Sequence, residues 1–237
     1  IQEKVEESLS KVADEGVKTI CSGRTDSGVH AAMQVIHFET SVTRLNRAWL
    51  AGCNTILPRD ISINWIKKVP VDFHSRFSAT KRTYRYHIFN GNKQSVFNRD
   101  FSSLVRSPLD INLMQNASNY LIGEKDYSSF RGSGCQSKSP NRNIFEIKLN
   151  ERQKIVSVEI SANAFLLNMV RIIVGTLIEV GSGTIRPEAI KDILDSRDRT
   201  QAGKTAEAKG LFYIGPEYDS SFKIFKPKYN NHLILKI

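Results

Sequence analysis

The sequence predicts an α+β fold. Three observations carry that prediction. Strand-like and helix-like stretches succeed one another with short links in both halves of the chain. The helical stretches place apolar residues at helical spacing. One of them, Phe165 to Val180, is apolar almost all round, so it must lie inside the protein. With 237 residues the chain has the length of one large domain or two small ones. A chain of that size buries about 70% of its unfolded surface, so its core needs no disulfide or metal.

Ile1, Val5, Leu9 and Val12 fall on one face of a helix over residues 1–13. Val17 to Cys21 is a short strand, and Met33 to Thr40 is a second, reached through Ser22 to Ala32. Thr43 caps a helix that runs to Leu57 with Leu45, Trp49, Cys53 and Leu57 as its apolar stripe, ended by Pro58. Ile61, Ile63 and Trp65 alternate as in a strand. Thr80 to Asn90 reads as a strand, Ile111 to Ile122 as a helix, and Ile144 to Leu149 and Lys154 to Ala162 as two further strands. The buried helix Phe165 to Val180 follows, then a short helix opened by Pro187 and running to Leu194, and a last strand from His232 to Ile237. This order suits two split-βαβ, ferredoxin-like halves with mixed or antiparallel sheets and helices on one face. The division falls near Phe73 to Arg76, giving residues 1–75 and 76–237. A cleft between two such halves is the natural place for an active site. The first half lacks an opening strand, which is expected to precede Ile1.

Thirty-four Lys and Arg against 24 Asp and Glu give a net charge of +10, and the pI is near 9.6. A basic excess spread over a globular chain points to a polyanionic partner, usually nucleic acid. Basic clusters lie at Lys81, Arg82 and Arg85, at Lys138 and Arg142, at Arg197, Arg199 and Lys204, and at Lys223, Lys226 and Lys228. Together they make a phosphate track plausible. Cys21, Cys53 and Cys135 are odd in number and far apart, which speaks against a disulfide framework and a cysteine zinc site and for a reducing compartment. The histidines His30, His37, His74, His87 and His232 show no metal-ligand spacing, so no metal is expected. No membrane span is expected, because Asn168 and Arg171 interrupt the most apolar stretch.

The segment Cys21-Ser22-Gly23-Arg24-Thr25-Asp26-Ser27-Gly28-Val29-His30-Ala31 sets an aspartate between two strands. It reads as a plain turn, or as a carboxylate presented on a tight loop with a cation beside it. Arg171 sits in the most apolar helix and needs an anionic partner there, whether a structural carboxylate or one that does chemistry. Tyr84 and Tyr86 share one face of a strand, where core packing is the ordinary role. His30 suits a structural hydrogen bond better than a catalytic base, and nothing around Cys135 beyond Arg131 favours a nucleophilic thiolate.

Five blocks in one order carry a resemblance to a known family. They are Gly23-Arg24-Thr25-Asp26-Ser27-Gly28-Val29-His30-Ala31; Arg76-Phe77-Ser78-Ala79-Thr80-Lys81-Arg82-Thr83-Tyr84-Arg85-Tyr86; Asp126-Tyr127-Ser128-Ser129-Phe130-Arg131 with Cys135-Gln136-Ser137 and Ser139-Pro140-Asn141-Arg142; Ala164-Phe165-Leu166-Leu167-Asn168-Met169-Val170-Arg171 with Val174-Gly175-Thr176; and Thr205-Ala206 with Gly210-Leu211. They resemble the signature blocks of the tRNA pseudouridine synthase A family and cover nearly the whole chain. The resemblance implies that Asp26 is the nucleophile, that Arg171 pairs with it across the cleft, and that Tyr84 packs on the target base. It further implies that Arg24, Thr25, Arg82, Phe130 and Arg131 bind substrate, with Arg24 holding a phosphate or assisting base flipping. The implied substrate is the anticodon stem-loop of tRNA, and the implied assembly is a homodimer. The family's opening strand, with its Tyr-Asp-Gly and Trp-Gln elements, is absent before Ile1, and Leu167 and Asn168 stand where the family often carries histidine.

The implied reaction breaks the bond from uracil N1 to ribose C1′ and rejoins the ring through C5. The base never leaves the site, so no cofactor is expected. An aspartate in water is ionised at neutral pH, so Arg171 matters for aiming Asp26 more than for charging it. Attack at C1′ and attack at C6 both remain open. The alternatives are an RNA-binding module of the same fold without chemistry, a nucleoside hydrolase that releases uracil, and a DNA-binding protein. Cytoplasm is the expected location, with an organelle left open.

Overall fold

The computed structural model describes residues 1–94 and 96–224. The expected strand His232 to Ile237, together with Lys226 and Lys228, lies outside the described residues. By contact the described chain groups into two compact units. The first comprises Ile1–Arg24, Val35–Ala79 and Tyr218–Ile224, and the second Thr25–Gln34 and Thr80–Glu217. The expected division by chain order differs in one respect that matters for function: residues 25–34, which carry Asp26, group with the second unit.

In the first unit, helix α1 (Gln2–Ala13) and helix α2 (Asn46–Ile56) pack together beside a two-stranded antiparallel ladder of β1 (Ile20–Cys21) and β3 (Ile36–His37). Val5, Leu9 and Ala13 from α1 meet Trp49 and Cys53 from α2, and Val17 and Leu57 complete this small core. The helices approach closely because Gly52 has no side chain; a Cβ there would lie 2.7 Å from Val12 Cγ2. Helix α2 starts at Asn46 without a side-chain cap, so Thr43 does not serve as one. The alternation at Ile61, Ile63 and Trp65 does not make a strand. The Asn54 side chain clamps Ile63 instead, donating to its carbonyl at 2.8 Å and accepting from its N–H at 2.7 Å.

The second unit is built on a mixed seven-stranded sheet, in accord with the expected α+β class. Its strands are β2 (His30–Ala31), β4 (Ala79–Asn90), β5 (Ser103–Val105), β6 (Gly123–Asp126), β7 (Asn141–Arg152), β8 (Ile155–Ala162) and β9 (Leu211–Tyr218). The order is β2-β9-β4-β8-β7-β6, with β5 beside β4. Strand β2 runs parallel to β9, and β4, β8, β7 and β6 are antiparallel to their successive neighbours. Helix α3 (Ile111–Asn119) is capped by Asp110, whose carboxylate accepts from the N–H groups of Asn112 and Leu113. Helix α4 (Met169–Gly181) is the apolar helix of the sequence, and ten of its residues are buried. Each fully buried Val, Leu, Ile or Met side chain contributes about 1.5–3 kcal/mol, so α4 anchors itself firmly in the core of this unit. Helix α5 (Ala189–Ser196) begins two residues after Pro187.

Strand β4 also buries a titratable group. His87 is 6% exposed, lies edge-on to Phe212 at 5.2 Å, and neither ring nitrogen has a hydrogen-bond partner among the described residues. Burial, and then the charge of Arg85, push its pKa down to about 4. The folded protein therefore holds a neutral imidazole that the unfolded chain protonates near pH 6.5. Stability is full above about pH 6.5 and falls as the pH drops towards 4. At pH 5 the loss from His87 reaches about 2 kcal/mol, from 1.36 kcal/mol per unit. His37, shifted down by burial and by His74, adds to the loss in the same window. Urea unfolding at pH 7 and pH 5 checks this: His87→Leu is expected to lose most of the difference between the two pH values.

Candidate active site

Asp26 stands at the start of a tight turn. The Val29 N–H donates to the Asp26 carbonyl at 3.2 Å, and Gly28 adopts a φ of +79°, a left-handed conformation that favours glycine. The chain then enters β2, where His30 pairs with Phe212 and Ala31 with Tyr213 of β9, and the Ala32 N–H donates to the Tyr213 carbonyl at 2.8 Å. Val29 is buried in the core of this unit. The loop is therefore pinned to the sheet on its C-terminal side, while the Asp26 side chain stays 37% exposed.

The partner of Asp26 comes from the buried helix. Arg171 is 17% exposed, and its Nη1 lies 3.3 Å from Asp26 Oδ2. The same nitrogen donates to Asn168 Oδ1 at 2.9 Å, and Nε donates to the Ala206 carbonyl at 2.7 Å. The guanidinium is thus held from two sides while it reaches the carboxylate. Asn168 is the residue before α4 and has a φ of 59°. Its side chain makes no capping bond to the helix, forgoing about 1 kcal/mol, and turns to Arg171 instead.

The carbonyl that receives Nε is held as firmly. The Ala206 N–H donates back to the Arg171 carbonyl at 3.1 Å. The Gly203 N–H donates to Thr176 Oγ1 at 2.9 Å. The Tyr86 hydroxyl donates to the Glu207 carbonyl at 2.8 Å, and burial pushes its pKa up to about 12, so it remains a donor at neutral pH. Residues 203–206 lie directly against α4, since a Cβ on Gly175 would be driven into the Lys204 carbonyl. Gly175→Ala is therefore expected to cost about 3 kcal/mol or more and to loosen Arg171 with it. Thermal unfolding checks the first effect, and turnover of the folded fraction checks the second.

Tyr84 lies on β4, whose neighbour β9 pairs with β2. Its ring stands edge-on to Phe165 at 5.1 Å and tilted against Tyr213 at 4.8 Å. It is 8% exposed, so it forms an enclosed aromatic wall and offers little open face. Arg82, half-buried on the same strand, donates from Nη1 to the Asn163 carbonyl at 2.7 Å. Arg131 donates from Nη2 to the carbonyls of Cys135 at 2.8 Å and Ser137 at 2.7 Å, which ties the loop between them. Thr25 is half-buried beside Asp26 in the chain, and Arg24 is exposed at the end of a first-unit segment. Phe130, expected at the substrate surface, is fully buried, with its ring 6.4 Å from Tyr127. As folded it is a core residue and cannot touch a substrate. His30 makes a structural hydrogen bond, Nε2 to the Asp100 carbonyl at 2.9 Å, and stacks on Phe212.

The structure thus brings together Asp26 and Arg171, residues 145 positions apart in sequence. It adds three participants that the sequence reading did not select: Asn168, the Ala206 carbonyl, and the Tyr86 hydroxyl that supports the segment after it. The spacing of Asn168 three residues before Arg171, on one helix face, carries a signal for the first. A backbone carbonyl carries none.

The chain as a whole is similar to known proteins. The family model described as tRNA pseudouridine synthase matches residues 1–78 and 117–219. The chain belongs to that family. It is 46% identical over 224 residues to tRNA pseudouridine synthase A of Hydrogenovibrio crunogenus, covering 94% of this chain and 86% of that protein. The protein of the same name from Shewanella sediminis is 45% identical over 226 residues, covering 95% and 87%. That of Coxiella burnetii is 46% identical over 224 residues, covering 94% and 86%. The family match spans Asp26 and Arg171 together with Asn168 and Ala206. Among the described residues, no helix is long and apolar enough to cross a membrane.

Proposed function

We propose that this chain is a tRNA pseudouridine synthase, an isomerase that converts uridine to pseudouridine in the anticodon stem-loop of tRNA, and that Asp26 is its nucleophile. The observation that carries the reading is the Asp26–Arg171 pair: a half-exposed carboxylate on a loop pinned to the sheet, met by a guanidinium fixed from two further directions. The membership in the family and the curated relatives support the activity. The net charge of +10 suits a polyanionic substrate.

In this reading the target uridine leaves its stack, at a cost of a few kcal/mol that pocket contacts offset. The carboxylate of Asp26 attacks the nucleoside, the N1–C1′ bond breaks, the ring turns and bonds to C1′ through C5, and the Asp26 carboxylate is released. C5 loses its proton to water and N1 takes one up, so the product has the atoms of the substrate. Arg171 is a positioning residue: its forked contacts hold the carboxylate in one orientation before the base arrives. Tyr84 is the aromatic wall against which the base packs, with Phe165 and Tyr213 supporting the ring. Arg24, Thr25, Arg82 and Arg131 face the RNA, and Phe130 serves from the core by fixing the start of the Arg131 loop. The active assembly is a homodimer. A non-catalytic RNA-binding module would have no need of a carboxylate held in this way.

The experiment is to incubate the protein with a tRNA transcript and digest the product to nucleosides. Pseudouridine in place of uridine, with no free uracil, is the expected result. Free uracil would mean hydrolysis, and unchanged uridine in tRNA that is bound would overturn the synthase reading.

A further inference from the structure

Phe77 is 76% exposed, yet it does not stand on a loose loop. Residues 74–78 close on themselves, with the Ser78 N–H donating to the His74 carbonyl at 2.9 Å and the His74 N–H donating to Ser78 Oγ at 2.9 Å. His74 Nδ1 accepts from the N–H groups of Arg76, at 3.2 Å, and Phe77, at 3.1 Å, which fixes the orientation of the imidazole. Between them, Ser75 is fully buried. Its hydroxyl donates to the Ile20 carbonyl at 2.7 Å, its N–H donates to His37 Nδ1 at 3.2 Å, and its carbonyl accepts from the Tyr218 hydroxyl at 2.7 Å. The turn is therefore tied to the core of the first unit while it holds an aromatic ring out in solvent.

The surroundings of that ring are specific. The His74 imidazole stacks on it, with centroids 4.3 Å apart and planes 28° from parallel. The Arg76 guanidinium carbon lies 5.7 Å from the ring centroid. A single exposed apolar residue is ordinary on any protein surface. A ring backed by an imidazole, accompanied by a cation, and fixed by a braced turn is less so. Within two residues on either side its sequence neighbours are Ser75, Arg76, Ser78 and the small Ala79, with no second large apolar residue, which does not suit a broad apolar protein interface. It does suit an unpaired nucleobase, which recognises a flat aromatic face, with the cation meeting the negative strand to which the base belongs. The net charge of +10 favours the same partner.

We propose that Phe77, backed by His74 and accompanied by Arg76, is a stacking platform for an unpaired base of the RNA substrate. The proposal rests on the tRNA reading above. Because the ring is held before RNA arrives, little side-chain freedom is lost on binding.

The test compares two RNA probes, the anticodon stem-loop hairpin and a fully paired duplex of the same stem sequence. Binding is measured by fluorescence anisotropy for the unaltered chain, Phe77→Ala and Phe77→Trp. Thermal unfolding confirms that the variants remain folded, as expected for an exposed position. Phe77→Ala is expected to weaken hairpin binding at least about five-fold and to leave duplex binding unchanged. Phe77→Trp is expected to keep hairpin affinity, and its added indole emission to be quenched by the hairpin but not by the duplex. Unchanged hairpin affinity in Phe77→Ala, or equal losses for hairpin and duplex, would overturn the platform. Nucleoside analysis on the same samples separates the two readings. If the unaltered chain binds without forming pseudouridine while Phe77→Ala still loses the hairpin, the synthase reading falls and the platform stands. If both chains bind and convert equally, the platform falls and the synthase reading stands.

Discussion

An Asp26→Asn variant is expected to turn over tRNA at least about 10⁴-fold more slowly than the unaltered chain, with RNA affinity within a few-fold. Asparagine keeps the shape of the side chain and leaves an amide oxygen for Arg171 Nη1, so packing around the loop is preserved. What it removes is the carboxylate oxygen proposed to attack the nucleoside. The loop itself does not depend on the carboxylate, because its turn is closed by the Asp26 carbonyl, by Gly28 and by the pairing of His30 and Ala31 with β9. Single-turnover rates with saturating protein, alongside a binding isotherm, check the expectation. A rate within about a hundred-fold of the unaltered chain would assign the nucleophile elsewhere.

Substitution of Arg171 is the second large effect, and it divides between stability and rate. Lysine carries the charge but has one nitrogen, and it cannot meet Asp26, Asn168 and the Ala206 carbonyl at once. Arg171→Lys is expected to lower kcat about 10²- to 10³-fold, the range found when one preorganised donor is removed, with KM nearly unchanged. Arg171→Met removes all three contacts and leaves the Ala206 carbonyl without its donor. It is expected to cost a further 1–3 kcal/mol of stability, read as a lower urea midpoint. A rise in KM with kcat intact would show that Arg171 binds RNA and does not orient the carboxylate.

Much of this fold is written in local periodicity, and what is not can be explained. Helices α1 and α4 and strands β4 and β8 appear close to where their apolar spacing places them, because each buries one face or all of itself within its own unit. Strand β9 is different. It sits inside the sheet beside β4 and β2, but it carries Gly215 and Pro216, residues that punctuate chains elsewhere. Gly215 is needed there: it has a φ of +139°, and a Cβ would lie 2.7 Å from the Met33 side chain. Only the fold shows that requirement. The strands expected over 17–21 and 33–40 shrink to Ile20–Cys21 and Ile36–His37, and among the described residues each has only the other as partner. The expected strand at residues 61–65 fails for a different reason: a side chain, Asn54, satisfies the backbone that a neighbouring strand would otherwise have bonded.

The candidate site divides in the same way. A carboxylate on a glycine-bounded loop and a lone arginine in an apolar helix are each visible in the sequence, and each has an ordinary structural explanation. Nothing in their spacing joins them; the family resemblance did, and the 3.3 Å contact agrees with it. Phe130 shows the limit of transferring a motif as a whole. It stands next to Arg131 in the third block, but the short helical turn at Ser128–Phe130 directs its ring into the core. Asn168 shows the opposite case. The residue that differs from the usual family pattern takes up Arg171 and gives up a helix cap to do so.

The central claim is that Asp26, aimed by Arg171, carries out uridine isomerisation. A tRNA transcript tritiated at C5 of its uridines tests it most directly, because the C5 hydrogen leaves for water when the ring rejoins through that carbon. The account predicts steady tritium release by the unaltered chain and none by an Asp26→Ala variant that binds the same RNA with comparable affinity. Release by that variant, or no release by the unaltered chain when it is saturated with tRNA, would contradict it.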